Sequence, residues 1–599
     1  MSTGTGSPTS SSVPLWRMSA IRPMPVGSTF SPARHPSVLS SSIHEMGRRE
    51  TMTRRTHRCS MVWLVLFLLV GREASGQGIP RVIDLAGLKD QLAIALGQRS
   101  GDQLRVLTAG DFNGDGLTDV VVGTPFFDGP ENDRFNGGGA FLILGGSEGI
   151  GVRDLGSRGA RREDVVLYGA EEDDRFGKVA ARADLDGDGI EDFVIGAPGA
   201  DGPGNLRPDA GEVYIFFGGA RLSDEAIRDM GGLLGPGADV TIFGQDTLDG
   251  LGASLALGDV NGDGATDLVI GAAGAFGFGN FRAAAGDVYV IFGGPDLRFR
   301  SVIDLADPFA GADIVIHGAN PVDQAGVAVA VGDLNGDGVD DVALSAPNGD
   351  GPGERRRNTG EVYVLFGGQR LASEPVRDLA GVFAPPADLI VYGRFPADGL
   401  GLSLGIADVS GDGVADLVVA ARALIRARLG AGEVYVILGS PTLPSDGVRD
   451  VAGVVGRLPD ATLLGAEARQ LADTQPDQFG AALDLADVNN DGIADFIVGA
   501  PGADGLDNGR LNTGEVFIIL GGLDLFGGLP RDVAGALGPP SEMRIIGPDT
   551  GANFGATLVV ADIDLDGIKD IIVAAPFDSA GPIGFERRNA GLVFALSTE

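Results

Sequence analysis

A nine-residue acidic pattern recurs along the chain and groups side chains that can bind a cation. It reads Asp-x-(Asn/Asp/Ser)-x-Asp-Gly-x-x-Asp, and its copies begin at Asp111, Asp184, Asp259, Asp333, Asp408, Asp487 and Asp562. The steps between copies are 73, 75, 74, 75, 79 and 75 residues. Alternate residues of a tight loop point to one centre, so each copy offers several oxygen ligands, which suit a hard divalent cation.

Five positions of each copy are candidate ligands, four through side chains and the seventh through its backbone carbonyl. They are Asp111, Asn113, Asp115, Leu117 and Asp119; Asp184, Asp186, Asp188, Ile190 and Asp192; Asp259, Asn261, Asp263, Ala265 and Asp267; Asp333, Asn335, Asp337, Val339 and Asp341; Asp408, Ser410, Asp412, Val414 and Asp416; Asp487, Asn489, Asp491, Ile493 and Asp495; Asp562, Asp564, Asp566, Ile568 and Asp570. A flexible loop with about six oxygens favours calcium over magnesium. We predict up to seven Ca²⁺, with the fifth site the weakest because Ser410 replaces an amide or acid.

Two other structures contain similar acidic patterns, the EF-hand loop and the ordinary hairpin turn. The spacing begins like an EF-hand loop, but that loop ends in Glu at position twelve, where the first copy has Val122. An ordinary Asp/Gly hairpin turn requires one or two such residues rather than three or four acids. The glycine at the sixth position, Gly116 in the first copy, is what a loop with positive φ selects.

The period of about 75 residues predicts the elements that position these loops. Apolar alternation precedes each motif, as in residues 254–257, and a β-rich run follows it, as in residues 193–195. A third strand opens with Gly-Glu-Val-Tyr or a close variant, and a fourth resembles residues 238–244. Four short antiparallel strands make one propeller blade. The fold class is therefore all-β, a seven-bladed β-propeller of four-stranded antiparallel blades.

The chain ends provide a separate prediction of ring closure. The last repeat stops after its third strand, at residues 591–596, and residues 91–96 form a strand with no blade of its own. We predict that this N-terminal strand closes the last blade, which leaves no long open edge. The alternative, an open solenoid, would carry capping repeats instead.

The N-terminal region differs in chemistry from the repeats. Residues 1–60 are predicted to be disordered or an over-long gene prediction, residues 61–76 a signal-peptide core and cleavage site, and residues 77–599 the propeller. Basic residues precede an apolar run at 61–70, which is about half of what a membrane span requires. We therefore expect a secreted, extracellular or cell-surface protein without a membrane span.

The charge and the single cysteine limit the partners and the chemistry. A net charge of −37 disfavours nucleic acid and anionic membranes as partners. Cys59 lies ahead of the apolar run, so we expect calcium rather than disulfides to stabilise the secreted protein. Of four histidines only His317 lies in the repeats, where a packing role is expected, so the protein is predicted not to be an enzyme. We also expect it to be a monomer. A calcium-stabilised enzyme acting on polysaccharide remains the alternative.

An arginine precedes each third strand, four residues before the opening glycine in six repeats and five residues before it in the first. These residues are Arg134, Arg207, Arg282, Arg356, Arg428, Arg510 and Arg587. By strand alternation they lie on the face opposite the acidic loops. One interpretation is a candidate ligand face, a basic ring that meets carboxylates or sulfates of a polymer. The other is a repeated salt bridge to neighbouring acids.

Two further motifs carry a resemblance to a known family. Phe176-Gly177, Phe479-Gly480 and Phe554-Gly555 come eight residues before a motif, and Gly196-Ala197-Pro198 and Gly499-Ala500-Pro501 come twelve residues after its first Asp. From about Ile79 onwards the chain resembles the FG-GAP repeats of integrin α-chains and their bacterial relatives.

The resemblance implies a seven-bladed propeller with calcium in the first hairpin loop of a blade, opposite the family's usual ligand surface. It also implies adhesion or binding of an extracellular protein or polysaccharide ligand. Three copies drift from the motifs, with Gln103-Leu104, Leu251-Gly252 and Ala420-Ala421-Arg422, and integrins keep the loop acids in only some blades.

Overall fold

The computed structural model describes residues 81–597, except for 87, 89–92, 98, 131, 147–152, 156–163, 308–310, 423–429, 467–475, 528–529, 535–540 and 580–586. The chain divides into two compact units, residues 1–57 and 58–599, and every described residue lies in the second. The predicted N-terminal segments, residues 1–60 and 61–76, lie outside the described residues.

Seven five-stranded sheets form the blades of a β-propeller, and their first strands contact one another in turn around the axis. The ring closes because the first strand of the seventh blade contacts that of the first blade. The first strands are β3 Arg105–Gly110, β8 Val179–Ala183, β13 Ser254–Gly258, β18 Val329–Gly332, β23 Leu404–Ala407, β28 Ala482–Ala486 and β33 Thr557–Ala561.

The second and third strands are the most deeply buried part of each blade, as expected for apolar runs covered on both faces. The second strands are β4 Asp119–Thr124, β9 Asp192–Ala197, β14 Asp267–Ala272, β19 Asp341–Ala346, β24 Asp416–Ala421, β29 Asp495–Ala500 and β34 Asp570–Ala575. The third strands are β5 Gly139–Ile143, β10 Glu212–Phe216, β15 Asp287–Ile291, β20 Glu361–Leu365, β25 Glu433–Ile437, β30 Glu515–Ile519 and β35 Leu592–Leu596.

The fourth strands complete the antiparallel part of each blade. They are β7 Val165–Tyr168, β12 Val240–Phe243, β17 Ile314–His317, β22 Leu389–Tyr392, β27 Ala461–Leu464, β32 Met543–Ile546 and, for the seventh blade, β2 Ala93–Leu96. Strand β2 pairs antiparallel with β35 and supplies the missing fourth strand, so the predicted closure of the last blade is confirmed.

Each blade also has a fifth strand, which the prediction of four-stranded blades missed. This short strand comes from the next repeat along the chain and pairs in parallel with the fourth strand. In blade order the fifth strands are β11 Ile227–Asp229, β16 Val302–Asp304, β21 Val376–Asp378, β26 Val448–Asp450, β31 Arg531–Asp532, β1 Arg81–Asp84 and β6 Arg153–Asp154. The N-terminal segment therefore closes the ring twice, on the sixth blade through β1 and on the seventh through β2.

Apolar side chains of neighbouring blades form the cores between them. One core joins Val121 and Leu142 of the first blade to Phe193 and Ile195 of the second. The Phe-Gly motif fixes how closely a first strand approaches the preceding blade. Gly177 has φ +83°, and a Cβ there would lie 2.3 Å from the carbonyl oxygen of Gly139, so only glycine fits.

Short helical turns connect some strands. The α-helical turns are Arg221–Asp224 and Gln369–Ser373, and the 3₁₀ turns are Pro203–Asn205, Phe278–Asn280, Pro295–Phe299, Leu443–Ser445, Leu506–Asn508 and Leu523–Phe526. Among the described residues, no helix has the length and apolar character needed to cross a membrane.

Candidate functional site

The seven acidic motifs all lie in the hairpin loops between first and second strands, as predicted. Antiparallel alternation places these loops on one face of the ring, together with the connections from third to fourth strands. We call them loops 1 to 7 in chain order. The sixth-position glycine has φ between +84° and +90° in all seven loops. A Cβ would meet no atom there, so the backbone conformation alone requires glycine.

The first Asp of each motif organises the backbone of its loop. In loop 1, Asp111 Oδ1 accepts hydrogen bonds from the backbone N–H groups of Gly114 and Asp115, and its Oδ2 accepts one from Gly116 at 2.8 Å. Asp115 Oδ1 accepts a hydrogen bond from the N–H of Leu117. These bonds wrap the backbone around the carboxylates and turn the acidic side chains inward.

The ninth-position Asp ties each loop to its own blade. Asp119 Oδ2 accepts a hydrogen bond from the N–H of Phe112 at 3.1 Å, and its Oδ1 accepts one from Gly145 at 2.7 Å. Burial raises the pKa of this carboxyl to about 7, an effect that these N–H donors oppose and that Asp115 and Asp111 reinforce. The same cause raises the equivalent pKa values to about 7 or about 6 in Asp192, Asp267, Asp341, Asp416, Asp495 and Asp570.

The donor set fits a hard cation. Ligand oxygens of Asp184, Asp186 and Asp188 lie within 4.8 Å of one another, and so do those of Asp562, Asp564 and Asp570 in loop 7. In loop 7 the Oδ1 atom of Asp562 is buried and accepts no hydrogen bond. A buried carboxylate oxygen without a donor is costly, and a bound cation would satisfy it.

Loop 5 differs from the others at its third position. Ser410 is buried, and its Oγ donates a hydrogen bond to Asp408 Oδ1 at 3.3 Å. A hydroxyl already engaged with a loop carboxylate is a poorer ligand than a free amide or acid oxygen. The lower affinity predicted for this site stays a prediction.

The arginines before the third strands are engaged in ion pairs. In five blades the guanidinium meets the last Asp of the fifth strand on its own blade, which in four of them lies 94 to 97 residues further along the chain. The pairs are Arg134–Asp229, Arg207–Asp304, Arg282–Asp378, Arg356–Asp450 and Arg510–Asp84. In the first four pairs both Nη atoms reach the two carboxylate oxygens.

These five guanidinium groups therefore clamp a blade to the strand it receives from the next repeat, and they do not form the free basic ring of the candidate ligand face. Arg428 lies outside the described residues. The charge of Arg587, the seventh of these arginines, acts on Asp102. Burial raises the pKa of Asp102 to about 7, and Arg99 and Arg587 partly offset that rise.

The partners of these arginines were not found from the sequence. A Val-Arg-Asp or similar triplet recurs before the fourth strand, as in residues 376–378 and 448–450. A segment of three residues is too short to show strand periodicity. The recurrence of the triplet at the repeat period was the signal that could have revealed the fifth strand and its Asp.

His317 has the packing role that was expected. Its Nδ1 lies 3.0 Å from Asp287 Oδ1, and its ring meets Phe278 edge-on with centroids 5.3 Å apart. Asp287 is buried, and the imidazole satisfies its carboxylate.

Taken together, the closed ring and the repeated acidic loop define the class of the chain as a seven-bladed β-propeller with one candidate cation loop in each blade. The FG-GAP repeat model matches residues 105–144, 176–216, 251–291, 325–365, 400–437 and 479–519. The chain therefore carries FG-GAP repeats, six of them by this match, and its seventh blade has the same strand order.

Curated proteins of two kinds are similar to this chain. Phosphatidylinositol-glycan-specific phospholipase D of Bos taurus is 27% identical over 506 residues, which is 79% of this chain and 53% of that protein. The Homo sapiens protein of the same name is 26% identical over 496 residues, 79% of this chain and 52% of its own. Integrin alpha pat-2 of Caenorhabditis elegans is 30% identical over 261 residues, 42% of this chain and 18% of that protein.

These relatives correct one prediction. The chain was predicted not to be an enzyme, and relatives that match about four-fifths of it are named as phospholipases, so that prediction is contradicted. The chain spans about half the length of these relatives.

Proposed function

We propose that this chain is a secreted calcium-binding β-propeller that recognises an extracellular protein or polysaccharide ligand. The observation that carries the proposal is the repetition of one oxygen-lined loop in every blade, with a buried carboxylate oxygen of Asp562 that accepts no hydrogen bond. Calcium would be held by the side chains of the first, third, fifth and ninth motif positions and by the carbonyl of the seventh.

Calcium has a structural role in this proposal. The chain carries a net charge of −37, and each loop concentrates three or four acids at one point. A cation bound only by the folded chain stabilises it by mass action, by about 2.7 kcal/mol per site at a free concentration 100 times Kd. The ligand would then be held by a rigid ring rather than by the metal.

The calcium part is tested by titration calorimetry and thermal denaturation in Ca²⁺ and in EGTA. Asp566→Asn removes a ligand charge from loop 7, and Glu172→Gln removes the same charge from an exposed residue outside the loops. We expect Asp566→Asn to lose one bound ion and part of the calcium-dependent rise in Tm, while Glu172→Gln behaves as the wild type. Equal Tm in Ca²⁺ and EGTA for the wild type would refute the calcium part.

The recognition part is supported by the relatives named as integrin alpha chains. Immobilised matrix proteins and glycans, probed with the chain in Ca²⁺ and in EGTA, test it. Retention that is lost in EGTA and leaves the immobilised molecule intact supports a binding module. No retention on either array contradicts it.

A second candidate function comes from the phospholipase relatives, which match more of the chain than the integrins do. The chain would then contribute to hydrolysis of a phosphatidylinositol-glycan. Incubation with a protein anchored by such a lipid, followed by detergent partitioning, distinguishes the two. Release of the protein into the aqueous phase supports the enzyme, and unchanged partitioning favours the binding module.

A further inference from the structure

In the second to sixth blades, the connection after the third strand rests on the acidic loop of the preceding blade. The N–H of Gly294 donates a hydrogen bond to the carbonyl of Leu185, the second residue of loop 2, at 2.7 Å. The same bond joins Gly219 to Phe112 and Gly368 to Val260. The side chain four residues after this anchor is therefore placed beside the neighbouring blade's loop.

In the third blade that side chain is an arginine, and it lies on the carboxylates of loop 2. Arg298 Nε donates a hydrogen bond to Asp186 Oδ2, and its Nη2 donates one to Asp188 Oδ2 at 2.5 Å. The guanidinium carbon also lies 5.8 Å from the ring centroid of Phe217, within reach of a cation–π contact. The Asp186 side chain is fully buried, whereas Arg298 is 43% and Asp188 31% exposed, so the ion pair extends from the base of the loop to its surface.

Arg298 completes the hydrogen bonding of loop 2. Asp184 accepts backbone hydrogen bonds on both oxygens, and Asp186 and Asp188 each accept one on Oδ1. With Arg298 on the remaining two oxygens, every oxygen of these three carboxylates has a donor. Loop 7, the other loop with Asp at its third position, leaves Asp562 Oδ1 without a donor.

Among the second to sixth blades, the third is the one with an arginine at this position. The corresponding position is Ser223, Ala372, Pro444 or Phe526 in the second, fourth, fifth and sixth blades, so none of these supplies a cation. Loop 2 also has Asp186 where loops 1, 3, 4 and 6 have Asn at the third position. An extra acid and an extra base thus occur together at the same loop.

We propose that Arg298 is the built-in counterion of loop 2 and competes with calcium for Asp186 and Asp188. This inference rests on the calcium binding proposed above. A cation in the loop would lie within about 5 Å of the guanidinium, and two positive charges at that distance repel strongly in a partly buried site. Loop 2 therefore stays without calcium at concentrations that fill loop 7, and its calcium occupancy requires Arg298 to leave.

The test compares bound calcium in Arg298→Met with that in Arg221→Met by equilibrium dialysis. Arg221 lies in the equivalent connection of the second blade and pairs with Asp239 and Glu225, neither of which belongs to an acidic loop, and its removal changes the net charge equally. Arg298→Met should bind one more ion than the wild type, with affinity at loop 2 about ten- to a hundredfold higher. Arg221→Met should bind as the wild type does.

A second variant gives an opposite readout on the same loop. Asp188→Asn should leave the number of ions bound by the wild type unchanged, since loop 2 is not filled, and should remove the ion gained by Arg298→Met in the double variant. Loss of one ion from the wild type on Asp188→Asn would overturn the inference, as would identical isotherms for Arg298→Met and Arg221→Met. If the wild type binds no calcium, the proposed function falls as well.

Thermal denaturation in EGTA measures how much the ion pair contributes to stability in the absence of calcium. Arg298→Met should then unfold at a lower temperature than Arg221→Met, because two loop carboxylates lose their counterion. Equal midpoints in EGTA would contradict the counterion role even if the calcium results agreed.

Discussion

The ion pair between Arg134 and Asp229 should contribute much more to stability than its counterpart on the sixth blade. The Arg134 side chain is 7% exposed and Asp229 is fully buried, whereas Arg510 and Asp84 are 22% and 38% exposed. Both arginines precede the third strand of their blade and pair with the last Asp of its fifth strand. Methionine at either position keeps an unbranched side chain that can pack like the arginine stem, and it removes the charge.

The expected magnitude follows from burial. Removing one partner of a buried ion pair leaves an uncompensated charge and costs about 3–5 kcal/mol. Asp229 keeps hydrogen bonds from the N–H groups of Gly231, Leu233 and Leu234, so we expect Arg134→Met to cost about 2–4 kcal/mol. Exposed pairs contribute about 0–1 kcal/mol, which sets the expectation for Arg510→Met.

Urea denaturation in saturating Ca²⁺, followed by circular dichroism, measures both variants against the wild type. A larger loss for Arg134→Met, with a shared denaturation slope, supports the interpretation of these pairs as clamps between repeats. Asp229→Asn should recover part of the loss in the double variant, because the uncompensated charge is then gone. Equal losses for Arg134→Met and Arg510→Met would refute the reasoning.

Three further predictions concern other parts of the ring. Leu565 has φ +62° in loop 7, so Leu565→Gly should raise the free energy of unfolding by about 1 kcal/mol in thermal denaturation, and no gain would contradict the strain. Burial and the nearby Glu361 raise the pKa of Asp323 to about 7, so its contribution to stability is complete below pH 4 and is lost as the pH rises through 7. The free energy of unfolding of Asp323→Asn should therefore rise relative to that of the wild type by about 1–3 kcal/mol between pH 4 and 8. A difference between the two proteins that does not change with pH would contradict this. Deletion of residues 81–96 should expose the edges of the sixth and seventh blades and cause self-association on gel filtration, whereas an unchanged elution volume would argue against the double closure.

The blade number, the place of the acidic loops and the closing strand could be predicted because they depend on local signals. Asp and Gly at fixed offsets define each loop, and a seven-fold repeat fixes their register. The spare strand at residues 93–96 was recognisable because the last repeat lacked one. Local patterns of this kind survive in the sequence without knowledge of distant contacts.

The fifth strands and the arginine clamps could not be predicted, because both join distant residues. The strand pairs join residues 61 positions apart in the first two blades, and the clamps join residues 95 and 97 positions apart. A two- or three-residue strand such as β31 has no periodicity of its own. It forms because a neighbouring edge is available to pair with it. The role of Arg298 has the same origin, since its partners belong to the preceding blade.

The first blade shows a related limit. The sequence aligned Gln103 with the motif Phe, but the N–H of Leu104 donates to the carbonyl of Ala590 as that of Leu251 donates to Ala210, so Leu104 takes the Phe position. The pairing of β3 with β4 also shifts register between Val106 and Thr108, so this first strand carries an irregularity of its own. A fixed offset cannot show such a shift.

The central claim is that the acidic loops bind calcium. A crystal structure grown in millimolar CaCl₂, with anomalous data collected to locate calcium, tests it most directly. We expect anomalous peaks among the carboxylates of loop 7 and of the other loops, and none in loop 2 while Arg298 is in place. A map with no calcium in any of the seven hairpins would contradict it.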